Sequence, residues 1–409
     1  MKPKVLLVTT CRWFATARLA MALKNAGFDV ELVCPAGHPA SNVSAVARTH
    51  AYHALFPLTS VRAAFLEAHA DLAIPCDDLA TGHFHALHRS VEKRGASEAW
   101  IAALLERSLG DPSSFAIAAA RSSLVALAEN EGILVPKTTT VRDVDQLDAW
   151  LAAYGLPAVL KTDGTSGGVG VKIVDTLDEA HRAFGDLNIP PPVTRVAKRS
   201  IIDRDINLLV PCLFRRRPLI NIQSFIRGHD ATSAVACWQG KVLAAIRFEV
   251  LHTWKPKGPA SVLRVIENRQ MCIAAAKIVE KLKLSGLYGF DFMLEQETGE
   301  AYLIEMNPRA TQTCHLPLGT GRDLPAALWS ILSGERLSET KSITALKEIA
   351  LFPQEWQRNP ASRFLSTAYH DVPWGEPQLM RACIRSNPEG SVLSYEALTQ
   401  AYARMPWRH

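Results

Sequence analysis

Three side chains with oxygen donors are spaced so that two neighbouring strands would bring them together. Residues 290–294 and 301–306 are mostly apolar, and a polar turn containing a glycine separates them, which predicts a β-hairpin. Side chains alternate between the two faces of a strand. Asp291 therefore lies on one face of the first strand, and Glu305 and Asn307 share one face of the second. We expect the three side chains to form one patch.

The chemistry of this patch suits a divalent cation. Two carboxylates and an amide present hard oxygen ligands, and Mg²⁺ in proteins takes one or two carboxylates together with water and substrate phosphates. Arg309 follows the patch by two residues, and its planar guanidinium suits a carboxylate or a phosphoryl group. The alternative is an ordinary hairpin whose acidic side chains face water.

A glycine-rich segment at 158–174 carries a second set of residues suited to phosphate binding. Two β-branched apolar runs flank a loop with four glycines, and Lys161 at the end of the first run adds a positive charge. Closely spaced glycines allow positive φ angles, so successive N–H groups can face a phosphate. No Gly-Lys-Ser/Thr follows and the loop leads into a strand, which excludes a P-loop and disfavours a Rossmann fingerprint. Taken alone, such a loop is equally typical of a structural turn.

The two motifs, in this order and spacing, resemble those of the ATP-grasp superfamily, the fold of carbamoyl-phosphate synthetase, biotin carboxylase and the D-alanine:D-alanine ligases. The resemblance covers 111–332, with a looser similarity upstream. It implies a mixed α/β and α+β fold, in which an N-terminal Rossmann-like parallel α/β domain at 1–110 precedes a two-lobed ATP-grasp fold at 111–332. The lid of that fold would span 141–224, and we expect 333–409 to be a C-terminal helical extension of unknown role.

The resemblance also implies roles in nucleotide binding. Lys161 corresponds to a lysine on the nucleotide phosphates, and Arg121 stands where many members have a second phosphate-binding lysine. Thr165 to Gly170 correspond to a mobile loop over the phosphates. Ser224 and Ile226 would meet the adenine through backbone groups, and Asp230 would take the ribose hydroxyls. The residues implied to bind the nucleotide are Arg121, Lys161, Thr165, Ser166, Gly167, Gly168, Gly170, Ser224, Ile226 and Asp230.

The implied activity is that of an ATP-dependent ligase. Asp291, Glu305 and Asn307 correspond to the magnesium ligands, and Arg309 and Lys161 to the catalytic cations. The cofactors would be ATP and Mg²⁺, with Mn²⁺ as a substitute for the metal. A small carboxylate would be converted to an acyl phosphate and condensed with an amine, giving an amide, ADP and phosphate. Two alternatives stay open: a bicarbonate-activating carboxylase or carbamoyl-phosphate-type enzyme, and a non-catalytic ATP-binding regulatory protein.

Composition excludes several other classes of protein. The chain has 409 residues, 48% hydrophobic and 21% charged, which is typical of a globular protein with two or three domains. Its net charge of +5 is a modest excess, and no nucleic-acid module occurs, so we expect no nucleic-acid partner. No apolar run is long enough to span a membrane, and the first eleven residues are too short an apolar run for a secretory signal. We expect a cytoplasmic homodimer that acts on small molecules.

A histidine-rich segment, His83, His85 and His88, resembles a metal cluster at first sight. On a helix, His85 and His88 lie on one face, whereas His83 lies on a different face. Histidine pairs that bind zinc on a helix are four residues apart, and none of these pairs has that spacing. We therefore expect a helix face near the substrate cleft rather than a metal site, and the sequence leaves its contact with a ligand open. Asp77, after an apolar strand, is the more plausible ligand contact in this region, and Arg12 is a weak candidate for a substrate carboxylate.

Overall fold

The N-terminal part of the chain is a parallel α/β unit. The computed structural model describes residues 2–92, 98–162, 170–188, 219–256, 258–335, 339 and 341–385. The first elements are β1 (Lys4–Val8), α1 (Ala15–Ala26), β2 (Asp29–Cys34), β3 (Val46–Ala51), α2 (Pro57–Ala68), β4 (Leu72–Pro75), α3 (Asp78–Glu92) and α4 (Ala99–Leu109). The sheet order is β3-β2-β1-β4. Val5 and Leu7 pack on the side of α1, whereas Leu6 and Val8 pack on the side of α2, α3 and α4, which explains why β1 is uniformly apolar.

A smaller antiparallel sheet follows. Two short helices, α5 (Phe115–Ala119) and α6 (Arg121–Asn130), lead into β5 (Thr138–Val141), α7 (Val144–Tyr154), β6 (Ala158–Thr162), β7 (Val171–Val174), α8 (Leu177–Leu187) and β8 (Ile220–Ser224). The strand order is β5-β8-β6-β7. Side-chain caps fix where the two longer helices begin, since Asp143 accepts from Gln146 N and Thr176 accepts from Glu179 N. This sheet lies in the part of the chain predicted to form the lid.

The third unit is a seven-stranded sheet. Its elements begin with β9 (Gly228–Trp238), β10 (Lys241–Thr253), β11 (Ala260–Val265), α9 (Arg269–Lys281), β12 (Gly286–Glu295), β13 (Ala301–Asn307) and α10 (Leu324–Ser333). The order of these strands is β13-β12-β9-β10-β11, and two strands of the C-terminal segment extend the sheet beyond β11. One face packs against α6 and α9, and the other packs against α10 and the N-terminal unit. Residues on the second face of β9, β12 and β13 therefore look toward the N-terminal unit.

The C-terminal segment completes this sheet, which differs from the helical extension that the sequence predicts for 333–409. It contains β14 (Glu348–Leu351), α11 (Gln354–Arg358), α12 (Phe364–Thr367), β15 (Tyr369–Asp371) and α13 (Pro377–Arg385). β14 pairs with β11, and β15 pairs with β14. Strands of three or four residues are too short to show a clear alternation, so the pattern did not reveal them. Within the described ranges, each helix is too short or too polar to span a membrane.

A buried ion-pair cluster fastens the C-terminal segment to the rest of the chain. Asp371 in β15 is 1% exposed and pairs with Arg18 of α1. His315, from the loop after β13, lies 2.7 Å from the other oxygen of Asp371. These opposite charges outweigh burial and lower the pKa of Asp371 to about 2. Three parts of the chain that are distant in sequence therefore share one carboxylate.

Candidate active site

The hairpin of β12 and β13 brings the two predicted metal-binding carboxylates side by side. Asp291 lies directly opposite Glu305, and Gly289 lies opposite Asn307. Paired residues in an antiparallel ladder point to the same face, and positions 305 and 307 share it by alternation. The register then shifts, because Phe292 pairs with Leu303 and leaves one extra residue on β13. Such bulges occur next to active sites, where they re-aim side chains.

Hydrogen bonds hold Asp291 in place. Its Oδ1 accepts from the Thr232 hydroxyl on β9 at 2.9 Å, and its Oδ2 accepts from the Asn307 amide at 2.9 Å. Burial in the cleft raises the pKa of Asp291 to about 6, and the charge of Glu305 adds to the shift. A cation bound beside Asp291 and Glu305 would relieve the repulsion that the charge of Glu305 exerts on Asp291.

The donor set fits Mg²⁺. The candidate ligands are two carboxylates and one amide, and within the described ranges no third His, Cys, Asp or Glu joins them. That count matches the preference of Mg²⁺ for few protein carboxylates and several water or phosphate ligands. Asn307 would contribute its amide oxygen to the same patch. The residues present are therefore competent to hold the metal.

Arg309 joins this patch to the N-terminal unit. Its Nε donates to Asp78 Oδ1 at 2.8 Å, and its Nη2 donates to Asn307 Oδ1 at 3.1 Å. Burial acts to lower the pKa of the Arg309 guanidinium, but the charges of Asp78 and Asp291 act in the opposite direction and raise it overall. The arginine stays cationic beside the metal patch, where negative charge on a substrate would need a partner.

Lys161 lines a narrow cleft beside β13. The cleft is lined by Ser122, Val125, Thr138, Lys161, Asn221, Gln223 and Ile304. Asn221 is directly opposite Lys161 across β6 and β8, so both belong to one face of the small sheet. Ile304 is the extra residue created by the bulge in β13. The cleft thus runs between the small sheet, α6 and the strand that carries Glu305.

The segment predicted to bind adenine and ribose lies between the two sheets. Ser224 ends β8, and its N–H donates to Lys137 O at 2.9 Å while its hydroxyl accepts from Lys137 N at 3.0 Å. The Ile226 N–H makes no bond to another backbone group within the described ranges. Asp230 follows in β9, where desolvation raises its pKa and the charge of Lys161 partly offsets the rise. Asp230 and Lys161 are therefore within electrostatic reach of each other.

Several predicted residues cannot be placed. Thr165, Ser166, Gly167 and Gly168 lie outside the described residues, as does the side chain of Arg121, whose backbone begins α6. Gly170 is described: its φ of 82° is left-handed, and its carbonyl accepts from Thr162 N at 3.1 Å. The glycine at this position allows the chain to enter β7 without side-chain strain.

The three histidines of α3 serve the core of the N-terminal unit. His83 bonds the Tyr52 hydroxyl at 3.0 Å, His85 stacks on Phe115 at 4.4 Å, and His88 bonds Glu106 at 2.9 Å. Burial lowers the pKa of His85 to about 4 and keeps it neutral. They face different partners, consistent with the prediction that they do not form a metal site.

Asp77 makes hydrogen bonds within the N-terminal unit, and its contact with a ligand stays a prediction. Its carboxylate accepts from the N–H and hydroxyl of Thr10, the hydroxyl of Thr9 and the N–H of Ala80. It ties the loop after β1 to the start of α3. Asp78, the next residue, is the one that reaches Arg309.

Arg12, the weak candidate for a substrate carboxylate, bonds within the N-terminal unit, since its Nη2 donates to Ala36 O at 2.6 Å.

Thr232 was missed from the sequence, although its position gave a signal. Alternation along β9 puts Thr232 on the face of Ala234 and Ala236, where a hydroxyl is out of place in an apolar stripe.

Comparisons with known proteins agree with this geometry. A family model described as an ATP-grasp domain matches residues 212–313. The arginine-specific large chain of carbamoyl phosphate synthase from Lactiplantibacillus plantarum is 24% identical over 345 residues, which are 83% of this chain and 31% of that protein. The large chain of carbamoyl phosphate synthase from Rubrobacter xylanophilus is 24% identical over 201 residues, which are 46% of this chain and 16% of that protein. This chain therefore spans less than a third of the length of these relatives.

Solved structures share the fold. The biotin carboxylase domain dimer of Hydrogenobacter thermophilus 2-oxoglutarate carboxylase, in complex with MgADP, ADP and bicarbonate, matches with a TM-score of 0.58 at 16% identity, over 83% of this chain and 72% of that chain. N5-carboxyaminoimidazole ribonucleotide synthetase from Thermus thermophilus matches with a TM-score of 0.56 at 16% identity, over 83% of this chain and 80% of that chain. These matches confirm the predicted fold class. Residues 212–313 match the ATP-grasp domain model, and the fold of the chain is similar to that of these solved structures.

Proposed function

We propose that this protein is an ATP-dependent, ADP-forming ligase that joins a small carboxylate to an amine. One observation carries the proposal: a pair of carboxylates on adjacent strands is linked through Asn307 to a partly exposed arginine, and a lysine-lined cleft opens beside them. Phosphoryl transfer needs charge neutralisation on phosphate oxygens and little covalent help from the protein. The residues of this site supply that charge, and the reaction requires no protein nucleophile.

The nucleotide would lie between the small sheet and β13. Lys161 would contact the phosphates, with Arg121 and the glycine-rich loop at 165–170 closing over them. Ser224 and Ile226 would offer backbone groups to the adenine, and Asp230 would accept from the ribose hydroxyls. The nearness of Asp230 to the Lys161 charge supports a common site for ribose and phosphates.

Asp291, Glu305 and Asn307 would hold Mg²⁺. The chemistry that Mg²⁺ supplies when held by these residues would be positive charge against the phosphate oxygens. Thr232 would keep Asp291 oriented by its hydrogen bond. Deprotonation of Asp291 would accompany metal binding, because a protonated carboxyl group is a poor ligand.

The chemistry would proceed in two displacements. A carboxylate oxygen of the substrate attacks the γ-phosphorus of ATP, and ADP leaves, which gives an acyl phosphate. The amine then attacks the carbonyl carbon, and after the amine loses a proton, phosphate leaves and the amide remains. Arg309 would stabilise the negative charge of the phosphorylated intermediate, and exclusion of water would protect it from hydrolysis.

A second candidate is bicarbonate activation, in which the acceptor carboxylate is bicarbonate itself. The names of the relatives favour it, because they include carbamoyl phosphate synthase and a biotin carboxylase domain in complex with bicarbonate. A third candidate, an ATP-binding regulatory protein, would keep the same site without turnover. Substrate dependence separates the three candidates.

The test is ADP release from MgATP across pools of small carboxylates and amines, with and without bicarbonate. Release that requires one acid pool and one amine pool supports the ligase, and stimulation by bicarbonate alone supports the second candidate. ATP binding without release in any pool supports the regulatory protein. Glu305→Ala should abolish release, whereas Glu297→Ala, on the exposed turn of the same hairpin, should not.

A further inference from the structure

The segment that carries Arg309 is docked on the N-terminal unit. Ala310 N donates to Pro75 O at 3.0 Å at the end of β4, and the Thr81 hydroxyl donates to Pro308 O at 2.9 Å from α3. These contacts hold the backbone at 308 and 310 against the N-terminal unit, and neither of them involves the Arg309 guanidinium. The end of the parallel sheet therefore forms one wall beside the metal patch.

Two adjacent aspartates at this end of the sheet make different contacts. Asp77 is committed to Thr9, Thr10 and Ala80, and so it holds the wall itself together. Asp78 is in the first turn of α3, and its side chain is 51% exposed, yet one of its oxygens lies 2.8 Å from Arg309 Nε. An exposed ion pair contributes little to stability, so this contact needs another explanation.

The explanation lies in the guanidinium geometry. An arginine has five N–H donors in a rigid plane, and fixing one edge fixes the direction of the others. Asp78 takes Nε, Asn307 takes one N–H of Nη2, and Ala310 O takes Nη1 at a longer 3.4 Å. Because Asp78 holds the Nε edge of the guanidinium, the N–H groups of the two Nη atoms point in a fixed direction.

The contacts then continue into the metal patch. Arg309 donates to the amide oxygen of Asn307, and the amide nitrogen of Asn307 donates to Asp291, whose other oxygen accepts from Thr232. A carboxylate of the N-terminal unit is therefore joined by consecutive hydrogen bonds to a proposed metal ligand in the large sheet. Releasing Asp78 would free the arginine to rotate and would loosen the amide that follows it.

We propose that Asp78 is the positioning residue for Arg309: it holds the Nε edge of the guanidinium so that the Nη donors and the Asn307 amide face the reacting groups. This proposal rests on the proposed function for its catalytic meaning. Partners that orient the groups directly contacting a substrate or metal are worth about 10- to 100-fold in activity in other sites.

The test compares Asp78→Asn, Asp78→Glu and Thr81→Val. The last variant removes the neighbouring interdomain hydrogen bond without touching the guanidinium. With the acid and amine pools that support ADP release, Asp78→Asn should lower kcat by about 10- to 100-fold while the Kd for MgADP changes less than about twofold. Asp78→Glu should recover part of the rate, and Thr81→Val should stay close to wild type. If Thr81→Val reproduces the loss, or if Asp78→Asn retains full kcat, the proposal is wrong.

A second readout does not depend on turnover. The Nε–H signal of Arg309 can be followed by NMR in protein labelled with ¹⁵N-arginine and assigned with Arg309→Lys. The signal should be shifted and slow to exchange in wild type and in Thr81→Val, and it should lose both properties in Asp78→Asn. An unchanged signal in Asp78→Asn would overturn the positioning role. If no acid supports ADP release, the proposed function fails, and this signal still decides whether Asp78 holds the arginine.

Discussion

Replacing Asp291 by asparagine should make the free energy of unfolding of the metal-free protein less dependent on pH. The carboxylate lies opposite Glu305, and burial together with that neighbour raises its pKa from 3.8 to about 6. A carboxyl group whose pKa is higher in the folded protein stabilises the fold while it is protonated. That contribution is complete at low pH and is lost as the pH rises through about 6. Asparagine is neutral throughout, so Asp291→Asn should show no such change.

The magnitude follows from the two pKa values. Between pH 8 and pH 5, a group that shifts from 3.8 to about 6 adds about 1.4 kcal/mol to the free energy of unfolding. The substitution also disturbs hydrogen bonds to Thr232 and Asn307, at about 1 kcal/mol each. Those losses act at both pH values, so they cancel when the effect of the substitution at pH 5 is subtracted from its effect at pH 8.

The assay is urea unfolding in EDTA at both pH values, for wild type, Asp291→Asn and the exposed control Asp186→Asn. The difference between wild type and Asp291→Asn should grow by about 1.4 kcal/mol in favour of wild type from pH 8 to pH 5. Asp186→Asn should track wild type at both pH values. Added MgCl₂ at pH 8 should stabilise wild type and leave Asp291→Asn unchanged. A difference that is the same at both pH values would refute the assigned electrostatics.

Three further predictions concern other parts of the site and its support. Lys161→Met should weaken MgATP binding by about 10- to 100-fold in calorimetry, because a charged hydrogen-bond partner of the phosphates is lost, and Lys172→Met on the adjacent strand should bind normally; equal affinities would remove the lysine from the phosphate site. Asp371→Asn should cost about 3–5 kcal/mol in urea unfolding at pH 7, because it leaves the largely buried guanidinium of Arg18 unpaired. Since the pKa of Asp371 is lowered to about 2, the wild-type contribution should be present above pH 4 and fade as the pH falls toward 2, and a loss that is constant with pH would contradict the pairing. Gly289→Ala should cost about 1–3 kcal/mol and reduce ADP release, because its methyl would sit 2.3 Å from Thr311 in the loop after Arg309, the proposed catalytic arginine. Stability equal to that of the wild type would show that the loop moves aside without cost.

Local patterns predicted the hairpin of β12 and β13 correctly. Apolar alternation and a glycine-containing turn set the pairing of β12 with β13, and the observed register places Asp291 opposite Glu305. A shift of one residue would have moved all the apolar side chains to the wrong face, so the sequence left one stable register. The fold class was confirmed for a similar reason, since alternating helix and strand patterns leave few arrangements.

Other features depended on contacts between distant residues. The short strand β14 pairs with the edge of β11, and β15 pairs with β14. A segment of three or four residues is too short for its side-chain alternation to predict such pairing. The histidines of α3 gave an ambiguous pattern, which their separate partners in the core resolved.

The sequence by itself determined which residues could do chemistry and in what local order, because alternation, turns and glycine content act over a few residues. It could not separate Asp77 from Asp78, which are adjacent and have the same side chain. Only the tertiary structure decided that one closes the loop after β1 and the other meets Arg309, 231 positions away in the chain. The direction in which α3 leaves β4, and the docking of the large sheet against it, set that difference, and both depend on packing over the whole molecule.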